Sequence, residues 1–171
     1  KLPIIAYLYN KAAKKGIDLE DLITIQEKDV QDYGTGSIRY EKPGGAYSLK
    51  TLTKLALEES DNTAAFVLGI KLGKDNVQKY MDSLWLKATK IEENETSAKE
   101  MGQLLEWIYF KKITNSALTY ELLDFMRDTD FEDRLARNIK DAKVYHKAAD
   151  GTGFVHDVGI ISNEERTFVL A

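Results

Sequence analysis

The side chains best suited to chemistry are Ser60-Asp61-Asn62, a hydroxyl, a carboxylate and an amide at the junction of two apolar helical patterns. At such a junction polar groups project from the ends of helices, where they can move protons and hold a polar substrate. Ser, Asp and Asn are also the favoured N-caps, so a capped second helix accounts for the triplet locally. Other chemistries find little support. Cysteine is absent, which excludes thiolate chemistry, disulfides and cysteine zinc sites. The two histidines, His146 and His156, show no H-x-x-x-H or H-E-x-x-H spacing, so no metal site is expected. No phosphate-cradling glycine motif occurs, and no cofactor is expected.

The chain has 171 residues, 43% of them hydrophobic, which suits one domain over residues 1–171. Its 24 basic and 28 acidic residues are interspersed and give a net charge of −4, leaving no basic field for a phosphate backbone. Nucleic acid is therefore not an expected partner. No apolar run reaches the roughly 18 residues that span a bilayer, and no secretory signal pattern is present.

The elements that must position the triplet follow from periodicity. Ile4, Ile5, Tyr7, Leu8, Ala12 and Ala13 mark a first helix, with Pro3 in its first turn and Gly16 as its C-terminal cap. Leu22 to Ile25 suits a short strand, and Tyr33 to Ile38 and Pro43 to Gly45 signal loops. A helix runs from the N-cap Ser48 to Ser60, a second to about Gly73, and a third carries Val77, Tyr80, Met81 and Leu84. Ser97 to Glu100 forms a capping box before a long helix, in which Trp107 and Phe110 are expected to fill the core. Further helices fit Ser116 to Met126 and Phe131 to Asn138. The period then changes to short β-prone runs at Val144 to Lys147, His156 to Ile161 and Arg166 to Leu170. The expected fold is α+β, a helical cluster followed by an antiparallel β meander.

Lys1-Leu2-Pro3 opening a helix, Ser60-Asp61-Asn62-Thr63-Ala64-Ala65 between helices, and His146-Lys147 before a Gly-rich turn and a second strand occur in a familiar order. With Gly34-Thr35-Gly36-Ser37-Ile38 and His156-Asp157-Val158-Gly159-Ile160-Ile161, this resembles the penicillin-recognising serine hydrolases, above all the class A β-lactamases with motifs S-x-x-K, S-D-N and K-T-G. The resemblance implies a β-lactamase/transpeptidase-like fold whose N-terminal strands are expected outside residues 1–171. It implies acylation of a serine three residues before Lys1, with Lys1 helping to take its proton. Ser60 would relay a proton to the leaving nitrogen, and Lys147 would support that relay and the substrate carboxylate. Asn62 would bind the substrate's side-chain amide and Asp61 would hold the turn. Around the K-T-G position, Ala149, Asp150 and Thr152 are the expected substrate contacts, Asp150 through its backbone N–H as an oxyanion donor.

The likeness has departures. Ala148 and Ala149 replace Thr and Gly of K-T-G, Val155 stands where a basic residue is common, and no E-x-x-L-N stretch occurs. His156 is either a carboxylate ligand or a strand-end histidine. Glu92, Glu93 and Glu95 either stand in for the deacylating glutamate or line a solvated loop. The implied activity is an acyl-enzyme hydrolase of β-lactams with slow deacylation. The alternatives are a D-Ala-D-Ala peptidase acting on peptidoglycan peptides and a non-catalytic β-lactamase-like domain. A monomer outside the cytoplasmic membrane of a bacterium, secreted or anchored, is expected from the same likeness.

Overall fold

A computed structural model describes residues 1–171. Its elements are α1 (Leu2–Ala13), β1 (Leu22–Thr24), β2 (Ala46–Ser48), α2 (Leu49–Glu58), α3 (Asn62–Leu72), α4 (Lys74–Ser83), α5 (Ala98–Tyr109), α6 (Ser116–Phe125), β3 (Lys143–Gly151), β4 (Phe154–Ser162) and β5 (Thr167–Leu170). Helices precede an antiparallel meander in the order β3-β4-β5, as the change of period requires, and β1 and β2 form a separate small ribbon. No helix is long and apolar enough to cross a membrane.

The core is organised on α3. Thr63, Ala64, Ala65, Val67, Leu68, Gly69 and Leu72 are all buried, because α1, α2 and α4 pack around this helix. Leu8, Tyr9, Leu52, Leu57, Leu105 and Ile108 close the same cluster, each worth about 1.5–3 kcal/mol when removed from water. Helix starts are fixed by side-chain caps, Ser48 accepting from Thr51 N–H and Asn115 from Leu118 N–H. Helix α5 packs on one face of the meander, near β4 and β5.

Several local expectations change. Residues Phe131 to Asn138 are a string of turns, not a helix. Good helix formers lose here because tertiary bonds claim the backbone: Asp130 N–H bonds Glu58 O at 3.1 Å and Leu135 N–H bonds Asp157 Oδ2 at 3.1 Å. The capping box at α5 is half made. Ser97 accepts from Glu100 N–H, but the Glu100 carboxylate turns away to Ala88 N–H and Thr89 Oγ1. At the end of α1 the left-handed residue is Lys15, with φ of 57°, rather than Gly16. Lys15 and Gly16 N–H then bond Ala12 O and Lys11 O, a Schellman ending displaced by one residue. Helix α2 stops at Glu58, and the cap of α3 is Asp61. Strand β3 extends through Asp150 and Gly151, so the hairpin turn narrows to Thr152-Gly153. Trp107 packs against the core as expected, whereas Phe110 is 56% exposed and meets Tyr109 edge-on at the surface.

Candidate active site

The Ser60-Asp61-Asn62 turn is over-determined by bonds to a loop far away in sequence. Ser60 has φ of 55°, a left-handed conformation that costs a side-chain-bearing residue about 1–2 kcal/mol. Its carbonyl accepts from Thr35 Oγ1 at 2.8 Å and from Lys1 Nζ. Asp61 caps α3 by accepting from Ala64 N–H at 2.8 Å, and its second oxygen accepts from Ile38 N–H at 2.9 Å. Asn62 N–H bonds Thr35 O at 3.2 Å, and its Nδ2 donates to Tyr33 O at 2.9 Å. Gly36, with φ of +112°, must be glycine, because a Cβ there would fall on Asp61. The Tyr33–Ile38 loop is thus part of the site's scaffold, a role that neither its turn signals nor its part in the family likeness assigns.

Two amines meet at one hydroxyl. Lys1, at the start of α1, places Nζ 3.0 Å from Ser60 Oγ and 2.7 Å from Asn62 Oδ1. Lys147, in the middle of β3, places Nζ 2.8 Å from the same Oγ and within bonding distance of Ala148 O. A hydroxyl accepts two hydrogen bonds and donates one. With both ammonium groups charged, Ser60 can only accept from them; once either lysine is neutral, Ser60 can donate to it and a proton path opens. The environment favours that neutral form. Burial, and then the charge of Lys1 and of Arg134, pull Lys147 down to about 7, with Asp157 and Asp150 opposing. Burial pulls Lys1 down to about 8 against the attraction of Asp61. Phe131 covers the Lys147 ammonium, its ring centroid 5.4 Å from Nζ.

Strand register places the remaining residues. Lys147 and Ala149 share a face with their partners Val158 and His156, while His146, Ala148 and Asp150 lie on the other face with Gly159, Asp157 and Val155. His146 N–H leaves the β3–β4 ladder to bond Met126 O at 2.8 Å. The alternation of an antiparallel ladder therefore sends the N–H and C=O of Ala148 and Asp150 to that same outer edge. Asp150 N–H lies on that edge, unpaired with β4. Ala148 is buried, and Ala149 is exposed beside the cluster. Thr152 sits on the hairpin turn, five residues beyond Lys147, about 16 Å along the strand, and the structure does not bring it to Ser60. His156 is exposed and stacks on Phe154 at 5.1 Å; Val155 is exposed on the opposite face. Glu92 is drawn to Lys74 at 2.9 Å on the surface, and none of Glu92, Glu93 and Glu95 bonds Lys1, Ser60 or Lys147.

Two features had no sequence signal. Arg134 forms a two-pronged ion pair with Asp150, and Asp150 is held below the usual carboxylate range by that guanidinium. His146, fully enclosed, lies between the carboxylates of Asp157 and Glu132. Both depend on the turns at 129–135, which overlap the Phe131 to Asn138 stretch that local pattern reads as helix.

A model of the beta-lactamase enzyme family matches residues 1–171. Among solved structures, PBP-A superposes with a TM-score of 0.90 at 23% identity, over 99% of this chain and 67% of its own. A β-lactamase from Sphaerobacter thermophilus gives 0.91 at 21% identity, over 99% and 69%. One from Chitinophaga pinensis gives 0.84 at 21%, over 99% and 72%. At such identities the likeness establishes the fold. Among curated proteins none matches.

Proposed function

The chain belongs to the beta-lactamase enzyme family, and we propose that it works as a serine hydrolase of the class A type, forming an acyl-enzyme with β-lactams and releasing it slowly. The observation that carries this reading is the Ser60 hydroxyl held 3.0 Å from Lys1 Nζ and 2.8 Å from Lys147 Nζ, with both amines shifted toward the neutral form. One amine accepts the proton of the nucleophile, which by the motif match lies one helical turn ahead of Lys1. The nucleophile's oxygen bonds the lactam carbonyl carbon, and Asp150 N–H at the β3 edge faces the oxygen that becomes negative. As the C–N bond breaks, Ser60 passes a proton to the nitrogen and is resupplied from Lys147. Asn62 fixes Lys1 through Oδ1 and retains one amide hydrogen for a substrate amide, its other being given to Tyr33 O. Ala149 and Asp150 line the edge along which the substrate lies, and Lys147 attracts its carboxylate. Thr152 enters only as a contact for the far end of a long substrate.

Slow release rests on the absence of a carboxylate bonded to the Lys–Ser–Lys cluster, since Glu92, Glu93 and Glu95 are engaged or placed elsewhere. The same absence favours a second reading, a peptidase for D-Ala-D-Ala ends of peptidoglycan peptides. Either substrate is met outside the cytoplasmic membrane, where we place the protein. A variant of PBP-A, similar in fold at a TM-score of 0.89, was solved as an acyl-enzyme complex with penicillin-G.

The test is a fluorescent penicillin followed on a denaturing gel, using protein that includes the position three residues before Lys1. A persistent band is expected. Rapid turnover of a chromogenic cephalosporin would overturn slow deacylation, and neither label nor turnover would leave a non-catalytic domain.

A further inference from the structure

His146 precedes Lys147 but points through the opposite face of β3, away from Ser60. Its side chain is 0% exposed. Nδ1 lies 2.9 and 3.0 Å from the two Asp157 oxygens, and Nε2 lies 3.1 Å from Glu132 Oε1 and 3.2 Å from Thr129 Oγ1. A carboxylate faces each ring nitrogen, so only the doubly protonated ring donates to both; a neutral ring would turn a lone pair toward a carboxylate oxygen. Burial opposes the charge, and the bonds to Asp157 and Glu132 outweigh it, leaving His146 raised above its ordinary value. The charged cluster does more than fill space. Glu132 Oε1 also accepts from Thr129 N–H at 2.7 Å, and Asp157 Oδ2 also accepts from Leu135 N–H at 3.1 Å. Both ends of the 129–135 turns are therefore fastened to the one imidazole. That segment carries Phe131 over the Lys147 ammonium and Arg134 onto Asp150, and its Asp130 N–H bonds Glu58 O, two residues before Ser60.

We propose that His146 is a positioning residue for the acylation site: as an imidazolium clamped between Asp157 and Glu132 it holds the 129–135 turns against β3, and so keeps Lys147 dry and able to lose its proton. The inference rests on the reading of Lys147 as a working part of the site. Its physical core is that burial and the Arg134 charge, two of the influences that lower Lys147, are supplied or helped by the clamped segment. Releasing the segment lets water reach the ammonium and moves Arg134 away, and Lys147 then holds its proton at neutral pH. The clamp is intact below the ordinary histidine value of about 6.5 and is lost as pH rises through the raised value of the folded protein.

The test is an NMR titration of histidine ring and lysine side-chain carbons in the full chain, from about pH 5 to about pH 11, for the wild type, H146Q and E132Q. In the wild type His146 stays doubly protonated beyond the ordinary histidine range and Lys147 titrates near 7. E132Q keeps a hydrogen-bond partner but removes a charge, so His146 titrates lower and Lys147 higher than in the wild type, and amides of 129–135 exchange faster. H146Q carries Lys147 toward its ordinary value of about 10.4. Penicillin acylation at neutral pH then slows by about 10²-fold with little change in substrate affinity. Lys147 titrating identically in E132Q and the wild type overturns the clamp even if H146Q does not fold, as does an unchanged His146 in E132Q. A wild type that is never acylated sinks the functional reading instead, and the titrations still decide the clamp.

Discussion

The two halves of the site that meet at the Ser60 hydroxyl are built by different means. On the helical side, Ser60-Asp61-Asn62 is fastened to the Tyr33–Ile38 loop mainly by bonds to main-chain atoms, among them Asp61 to Ile38 N–H and Asn62 to Tyr33 O and Thr35 O. On the sheet side, Lys147 is kept in place by ionisable groups: Arg134 with Asp150, and His146 with Glu132 and Asp157. In the first half these backbone donors and acceptors do not titrate, and the amine that joins them is Lys1, lowered to about 8. The second half changes with proton concentration. The turn supplies fixed geometry around Lys1, and the strand supplies an amine tuned by the charged groups beside it.

The largest expected effect is on the strand side. K147M lowers acylation by about 10² to 10⁴-fold while leaving stability to urea equal or greater, since a methionine in that pocket needs no desolvated amine. A clear loss of stability would show that Lys147 is a structural pillar and remove the contrast. D61A should cost about 2–4 kcal/mol, a lost N-cap plus an orphaned Ile38 N–H. Urea unfolding measures it, and a cost under about 0.5 kcal/mol would show that the cap and the Ile38 bond contribute little. G36A should cost about 2 kcal/mol through its positive φ and its clash with Asp61. A loss well under that amount would mean the loop is less tightly joined to the turn than the bonds indicate.

A smaller effect appears in the pH dependence of stability. Lys147 is lowered to about 7 when folded, so between there and its ordinary value of about 10.4 the unfolded chain binds more protons and stability gains from this residue as pH rises. K147M should flatten that rise in urea titrations at several pH values; an unchanged slope would deny the burial of the amine. H156A, on an exposed ring stacked on Phe154, should change stability by less than about 0.5 kcal/mol. An acylation defect in it beyond a few-fold would move His156 from strand-end residue to carboxylate ligand.

The sequence by itself determined the helix-then-meander order, because hydrophobic spacing is a local property and changes period at Val144. It also determined the motif order that placed Lys1, Ser60, Asn62 and Lys147 together, and the membership that follows from it. It determined the cap chemistry at Ser48 and confined the cap of α3 to Ser60, Asp61 or Asn62. Only the tertiary structure decided which residue caps α3, why Gly36 must lack a side chain, and why Phe131 to Asn138 is not a helix. Each of these turns on a partner far away in sequence, such as Asp61 for Gly36 or Glu58 and Asp157 for the 129–135 turns. The state of Lys147 is of the same kind. The motif order pairs it with Lys1, but nothing in the chain around it points to Phe131 or Arg134, and a proton affinity is set by burial and by charges through space.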